Sequence, residues 1–306
     1  MTREDEVDAL LRQVPARYRP VVGRVQQTAL GRLLTRTLTG LVRIEPFDRA
    51  MTLAAQAFTS VLPVIILIAV LRPRRPDDLG SMIAEQLNLP PNTQETLLES
   101  LPEAAEASAS FGLFGALVVL LSATSFSRAL ERMYARVWDV SRPGLHGAWR
   151  WLAALLAVVV ALAIVRFTRG VLGGLPYHVL WQAAATAVVW SVVWTLVPWL
   201  LLKGQVALRL MAAGGIPTGI ALALAGLSGS IYLPIALQAG ARQFGALGIA
   251  FTYIGWLFVV SMIVVVGAVL GHAAARDEGW LGRVVRAEHG VPEPVAREPD
   301  RPEPVS

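Results

Sequence analysis

Cysteine is absent from the 306 residues, which excludes disulfides, thiolate metal sites, iron–sulfur clusters and a cysteine nucleophile. Lysine is almost absent too: Lys203 is the single lysine among 27 basic residues. Charged residues make up only 16%, against about 25% in soluble domains. Histidine is scarce as well. His146, His178, His272 and His289 have no H-x-x-x-H or H-E-x-x-H spacing, and neither G-x-S-x-G nor a P-loop occurs. The expectation is a protein that is not an enzyme and has no metal or cofactor. His272 is read as capping carbonyls at the end of its helix.

What is present is apolar and comes in blocks. Hydrophobic residues reach 55% and mean hydropathy is +0.54. A bilayer core of about 30 Å needs roughly 20 mainly apolar helical residues. Six segments meet that length, at about 51–71, 109–127, 149–171, 179–202, 210–233 and 247–272. The blocks are continuous rather than alternating, so helices are expected and a barrel is excluded. The fold class is therefore all-α: a polytopic membrane protein with six transmembrane helices and short amphipathic flanking helices. It divides into an amphipathic N-terminal region (1–46), a six-helix domain (47–275) and a largely disordered tail (276–306). Met1–Ala50 holds no apolar run of signal-peptide length, so the first span is expected to direct insertion.

Arginine sets the expected orientation. Of the 27 basic residues, 21 fall in the N-terminal region, the 128–150 and 203–209 loops and the tail. Six lie on the other side: Arg72, Arg74, Arg75, Arg166, Arg169 and Arg242. Positively charged loops stay inside, which places both termini in the cytoplasm. Tyr134, Trp138, Trp149, Trp151, Tyr177 and Trp181 are read as interfacial anchors. Residues 21–41 have helical periodicity, with Arg24, Arg32 and Arg36 between apolar positions. This helix lies against the anionic leaflet or packs on the bundle; the sequence leaves both open. Short helices are expected at Asp77–Leu89 and Asn92–Ala107.

The apolar blocks show no clear buried charge, which argues against a proton pump built on a buried carboxylate. They do carry polar residues and prolines. Gln56, Ser60 and Pro63 share one helical face, Ser122 and Ser125 mark the second span, and Thr195 lies in the fourth near Pro198. Two readings stand: hydrogen-bonding glue between helices, or a polar pathway through the bundle. Proline interrupts the first, fourth and fifth spans at Pro63, Pro198 and Pro217, as in transporters with broken helices. Arg128, Glu131 and Arg132 follow the second span by one turn, as a solvated helix end or as a cytoplasmic gate or headgroup contact. Gly112, Gly115, Gly215, Gly219, Gly245, Gly248, Gly267 and Gly271, with Gly170 and Gly174, are read as helix-packing positions.

The ordered landmarks resemble the YihY/BrkB membrane protein family, once labelled as a ribonuclease. The resemblance is carried by Leu53, Ala54, Phe58, Ser60 and Pro63 in the first span and by Gly112, Gly115, the Ser122–Ser127 run and Trp138 in the second. It continues through Val197-Pro198, Phe244–Gly248, Trp256 and Gly267-Ala268. It covers about 47–275. One departure is Val269, where the family pattern has glutamate. The resemblance implies a six-helix inner-membrane protein, with transport of a lipid or another envelope component as the expected activity and a non-transporting scaffold as the alternative. The expected partners are the lipid bilayer and a lipid or small-molecule substrate, with no nucleic acid.

Overall fold

The computed structural model describes residues 28–71, 112–141, 148–174, 176–277 and 279–286, with side chains at all of these except 61–71, 112–123, 148 and 280–281. The expected helices at Asp77–Leu89 and Asn92–Ala107, and residues 287–306 of the tail, lie outside these residues; the start of the tail, expected as largely disordered, holds the buried Asp277 and a short helix. Every described element is an α-helix.

Helix α1 spans Ala29–Ile44, and its N-cap Thr28 accepts a hydrogen bond from the Gly31 amide at 3.0 Å. That bond satisfies one of the orphan donors of the first turn. Glu45 turns left-handed (φ 54°) and ends α1. Pro46 then starts α2, Pro46–Leu71, a position where its missing N–H costs nothing. Next come α3 (Gly112–Trp138), α4 (Ala148–Leu172) and α5 (His178–Leu201). Helix α6 (Leu208–Ala275) has 68 residues, and α7 is the short Trp280–Arg286.

Helix α6 is a hairpin. Its one non-helical residue is Gly245, at φ 57° and ψ −138°, a region essentially closed to residues with a Cβ. On either side the two arms, 208–244 and 246–275, lie against each other. Gly214 packs on Gly267 and Gly271, Gly229 on the Trp256 ring and Gly240 on Gly248. Numbers rise along one arm as they fall along the other, so the arms are antiparallel. The expected loop between 233 and 247 is instead helix up to the Gly245 break. Pro217 and Pro234, by contrast, sit inside continuous helix, as does Pro198 in α5. Membrane helices tolerate proline where neighbouring hydroxyls and helices satisfy the freed backbone. Ser191 Oγ of α5 donates to the Ile216 carbonyl at 3.2 Å, beside Pro217.

Three helices among the described residues are long and apolar enough to cross a membrane: Trp149–Leu172, His178–Leu201 and Leu208–Ala275. At 1.5 Å per residue, 24 residues make about 36 Å, more than the roughly 30 Å of a bilayer core.

The two ends of the bundle differ. One end, called proximal here, gathers α1, the start of α2, the end of α3, the start of α4, the end of α5 and both ends of α6. Its core is continuous, with Leu53, Leu130, Met133, Tyr134, Trp151, Val197, Leu201 and Val265 all buried. The distal end carries Phe167, Val171, Leu180, Ile231, Phe244 and Phe251, all exposed. Its buried cluster is small, built on Leu237 and Ile249.

Tyr134 and Trp151 were expected as interfacial anchors, but they are 3% and 9% exposed and belong to the proximal core. The reason is that α3 does not end near Ser127; it runs about three turns further, to Trp138, and Trp151 of α4 packs against that extension. Trp149, Tyr177 and Trp181 are exposed, as anchors would be.

Candidate functional site

Two places in the bundle bring functional groups together. The first is a cavity of about 790 Å³ at the distal end, on the flank of the α6 hairpin. Its walls come from both arms: Ala236, Ala239, Gly240 and Phe244 on one, and Gly248, Phe251, Gly255 and Val259 on the other. Tyr232, Gln243, Thr252 and Trp256 supply the polar atoms. Glycines that let the arms touch near the turn also leave space where no side chain projects. A Cβ on Gly255 would meet nothing within 4 Å. The volume lies within the range of about 300–1,000 Å³ typical of small-molecule sites, and mostly apolar walls with a few polar groups suit an amphiphile.

The second place is proximal and closely packed. Glu131 is 7% exposed, and its Oε2 accepts a hydrogen bond from Trp151 Nε1 at 2.6 Å. Ser127 Oγ donates to the Trp151 carbonyl at 2.9 Å. The exposed Arg128 lays its guanidinium over the Trp151 ring, 5.6 Å from the centroid. Such a contact adds attraction through the ring quadrupole. A solvated helix end therefore describes Arg128 but not Glu131, whose carboxylate is held inside by an indole donor. Arg132 is half-buried. Nearby, Asp277 is fully buried and paired with Arg32 and Arg36 of α1 at 3.3 and 3.6 Å. Among the described residues, Glu131 and Asp277 are thus two buried carboxylates that the apolar blocks did not announce. Each lies just beyond a block: Asp277 is paired with two arginines far away in sequence, and Glu131 accepts a hydrogen bond from an indole on the next helix.

The residues of the expected polar pathway are not gathered in the cavity. Ser60, 6% exposed, donates to the Gln56 carbonyl at 2.7 Å, and Thr195 donates to the Ser191 carbonyl at 2.7 Å. Gln56 Oε1 is buried and has no hydrogen-bond partner among the described residues. Ser125 is half-buried on α3. The side chains of Pro63 and Ser122 lie outside the described residues. His272 sets its ring edge-on to Trp138 at 5.3 Å.

Most of the expected glycine positions are close contacts. A Cβ on Gly215 would come within 2.7 Å of the Thr195 amide nitrogen, and one on Gly219 within 2.5 Å of Ser191 Cα. Gly267 faces Thr218, and Gly271 and Gly248 touch Gly214 and Gly240 across the hairpin. Gly245 is different: nothing lies within 4 Å of its would-be Cβ, and its role is the turn. Gly170 and Gly174 also face open space, with nothing within 4 Å of a would-be Cβ. Gly112 and Gly115 fall in the first turns of α3. Sequence reasoning missed Asp277, Arg32 and Arg36 as a set, and it missed the cavity residues. The one available signal for the cavity was the recurrence of Gly240, Gly248 and Gly255 beside aromatic residues.

Long apolar helices, a hairpin turned on glycine and apolar side chains facing outward define an integral membrane protein. The family described as Virulence factor BrkB matches residues 37–283, and the chain belongs to it. No curated protein and no solved structure gives a significant match. Val269 is 2% exposed and packs on Gly40 of α1.

Proposed function

We propose that this chain is a six-span protein of a bacterial inner membrane that binds and moves a lipid or a similar amphiphilic envelope component. The spans are α2, α3, α4, α5 and the two arms of α6. The proximal end faces the cytoplasm, because most of the arginines flank it. The reading assigns the chain no catalytic step and no nucleic-acid partner.

The observation that carries this reading is the distal cavity. It is mainly apolar, has four residues with polar side chains along its wall, and lies on a hairpin that exposes apolar side chains beside it. An acyl chain fits apolar walls, and Tyr232, Gln243 and Trp256 can donate to an ester or headgroup oxygen, while Thr252 donates to the Gly248 carbonyl at 2.8 Å. A scaffold that moves nothing is the second reading. It is favoured by the hydroxyls of Ser60, Thr195 and Thr218, which donate to carbonyls of their own helices rather than facing a path.

The test is movement of a fluorescent phospholipid between leaflets of vesicles containing the purified protein. The wild-type chain is expected to accelerate it. Gly255→Phe, which fills the cavity without a clash at its Cβ, is expected to abolish the acceleration while leaving thermal stability intact. Gly170→Phe, placed in open space away from the cavity, is the control and should behave as wild type. Equal rates in empty vesicles and in vesicles with protein would support the scaffold.

A further inference from the structure

Helix α1 is built inside out. Its charged face points into the protein, where Arg32 and Arg36, one turn apart, converge on Oδ1 of Asp277. Asp277 has no exposed surface, and its Oδ2 accepts a hydrogen bond from the Gly279 amide at 3.0 Å. Arg36 also donates to the Arg276 carbonyl, and Arg286 of α7 donates to the carbonyls of Ala275 and Asp277 at 2.7 and 3.0 Å. Gly40 closes the contact, since a Cβ there would meet Val269 Cγ1 at 2.7 Å.

The opposite face is a bare apolar stripe. Leu30, Leu34, Leu38 and Val42 are 71%, 57%, 62% and 69% exposed. A spacing of four puts them one above another on a helix. The threonines of α1 leave no hydroxyl seeking water on that face. Thr35, Thr37 and Thr39 each donate to a carbonyl one turn back, at 2.9, 2.7 and 3.1 Å. A helix with charge inward and leucine outward is inverted for water and correct for hydrocarbon.

Three observations identify what covers the stripe. Exposed apolar side chains continue past the bend at Glu45 onto Phe47 and Met51 of α2, so the stripe joins the lipid-facing surface of a membrane protein. Sixteen residues make about 24 Å, too short to cross a core of about 30 Å. The exposed Arg43 in the last turn can snorkel to headgroups. We infer that α1 is an interfacial helix sunk along one leaflet with its stripe among acyl chains, and that Asp277 is the clamp deciding which face meets lipid. The inference does not depend on the cavity or on transport.

Because the chain has no cysteine, single labels can be introduced directly. Nitroxides at Leu30→Cys, Leu34→Cys, Leu38→Cys and Val42→Cys, in phosphatidylethanolamine/phosphatidylglycerol vesicles, would be probed with oxygen and with a water-soluble nickel chelate. All four are expected to be severalfold more accessible to oxygen than to chelate, while Thr39→Cys is shielded from both. Chelate access at the four positions would overturn the inference in favour of water. Shielding from both reagents would overturn it in favour of a second copy or another protein segment over the stripe. Asp277→Asn is expected to raise label mobility at position 34 and erase the four-residue pattern. An unchanged pattern would remove Asp277 as the clamp. If Asp277→Asn does not fold, Arg32→Gln removes one of the two arginines and is expected to give a partial form of the same change.

Discussion

The proximal and distal ends of the bundle are made from the same helices and use side chains in opposite ways. At the proximal end Trp151 is buried, its indole donates to a buried carboxylate, and a neighbouring arginine covers its ring. At the distal end Trp181 is 54% exposed and Trp256 lines a cavity. Glycine does both. Gly214 with Gly271 and Gly240 with Gly248 bring backbones together, whereas Gly255 faces open space. The difference teaches that small residues in a membrane helix serve two purposes, close contact or empty space. Only the facing helix decides which. In one bundle, a closely packed end thus stands opposite an end that carries the cavity.

Substitutions at matched positions test this contrast, read as stability against unfolding by SDS in mixed micelles. The largest effect is expected from Trp151→Ala. It empties core volume and strips Glu131 of its donor, and should cost about 3–5 kcal/mol. Trp181→Ala should change stability by less than about 0.5 kcal/mol. Equal losses would mean that the two ends are packed alike. Next is Gly271→Ala, whose Cβ would lie 2.6 Å from Gly214 Cα, so the hairpin arms must separate. It is expected to lose about 1–3 kcal/mol. Gly245→Ala forces a Cβ into a backbone region that nearly excludes it, at a similar cost of roughly 1–3 kcal/mol. Its distinguishing readout is the distance between labels on the two arms, which should widen as the hairpin opens. The smallest effect is Gly255→Ala. It removes a helical glycine where nothing clashes, and should gain about 0.5–1 kcal/mol. A loss there would show that the space beside Gly255 is occupied by protein.

Much of the helical architecture was legible in the sequence because apolar block length and arginine distribution act over single segments. The span expected at 149–171 is α4 almost to the residue. The span expected at 179–202 is α5, because each block is bounded by turns that leave nothing ambiguous. The ends of α3 and of the first arm of α6 were not legible. Polar and charged residues such as Arg128, Glu131 and Gln243 read as loop, yet continue as helix because tertiary partners accept them. Proline misled for the same reason. Pro198 and Pro217 predict breaks locally, yet both sit inside continuous helix, while the true turn falls on Gly245, whose neighbours mark nothing unusual. The Arg32–Arg36–Asp277 set spans about 240 residues of sequence, and no local pattern can reveal such a pair. The cavity is the extreme case, since it consists of side chains that glycine does not have.

The central claim is that lipid enters the hollow end and is kept out of the packed end. The most direct measurement is a residue-level map of adducts from a phospholipid carrying a diazirine in its acyl chain, irradiated in vesicles with the intact protein. Adducts are expected on Phe244, Phe251 and Val259 around the cavity, lost in Gly255→Phe, and absent from Val197, Leu201 and Val265 in the proximal core. Adducts spread evenly over the outer surface, with the cavity residues unlabelled and the pattern unchanged by Gly255→Phe, would contradict it.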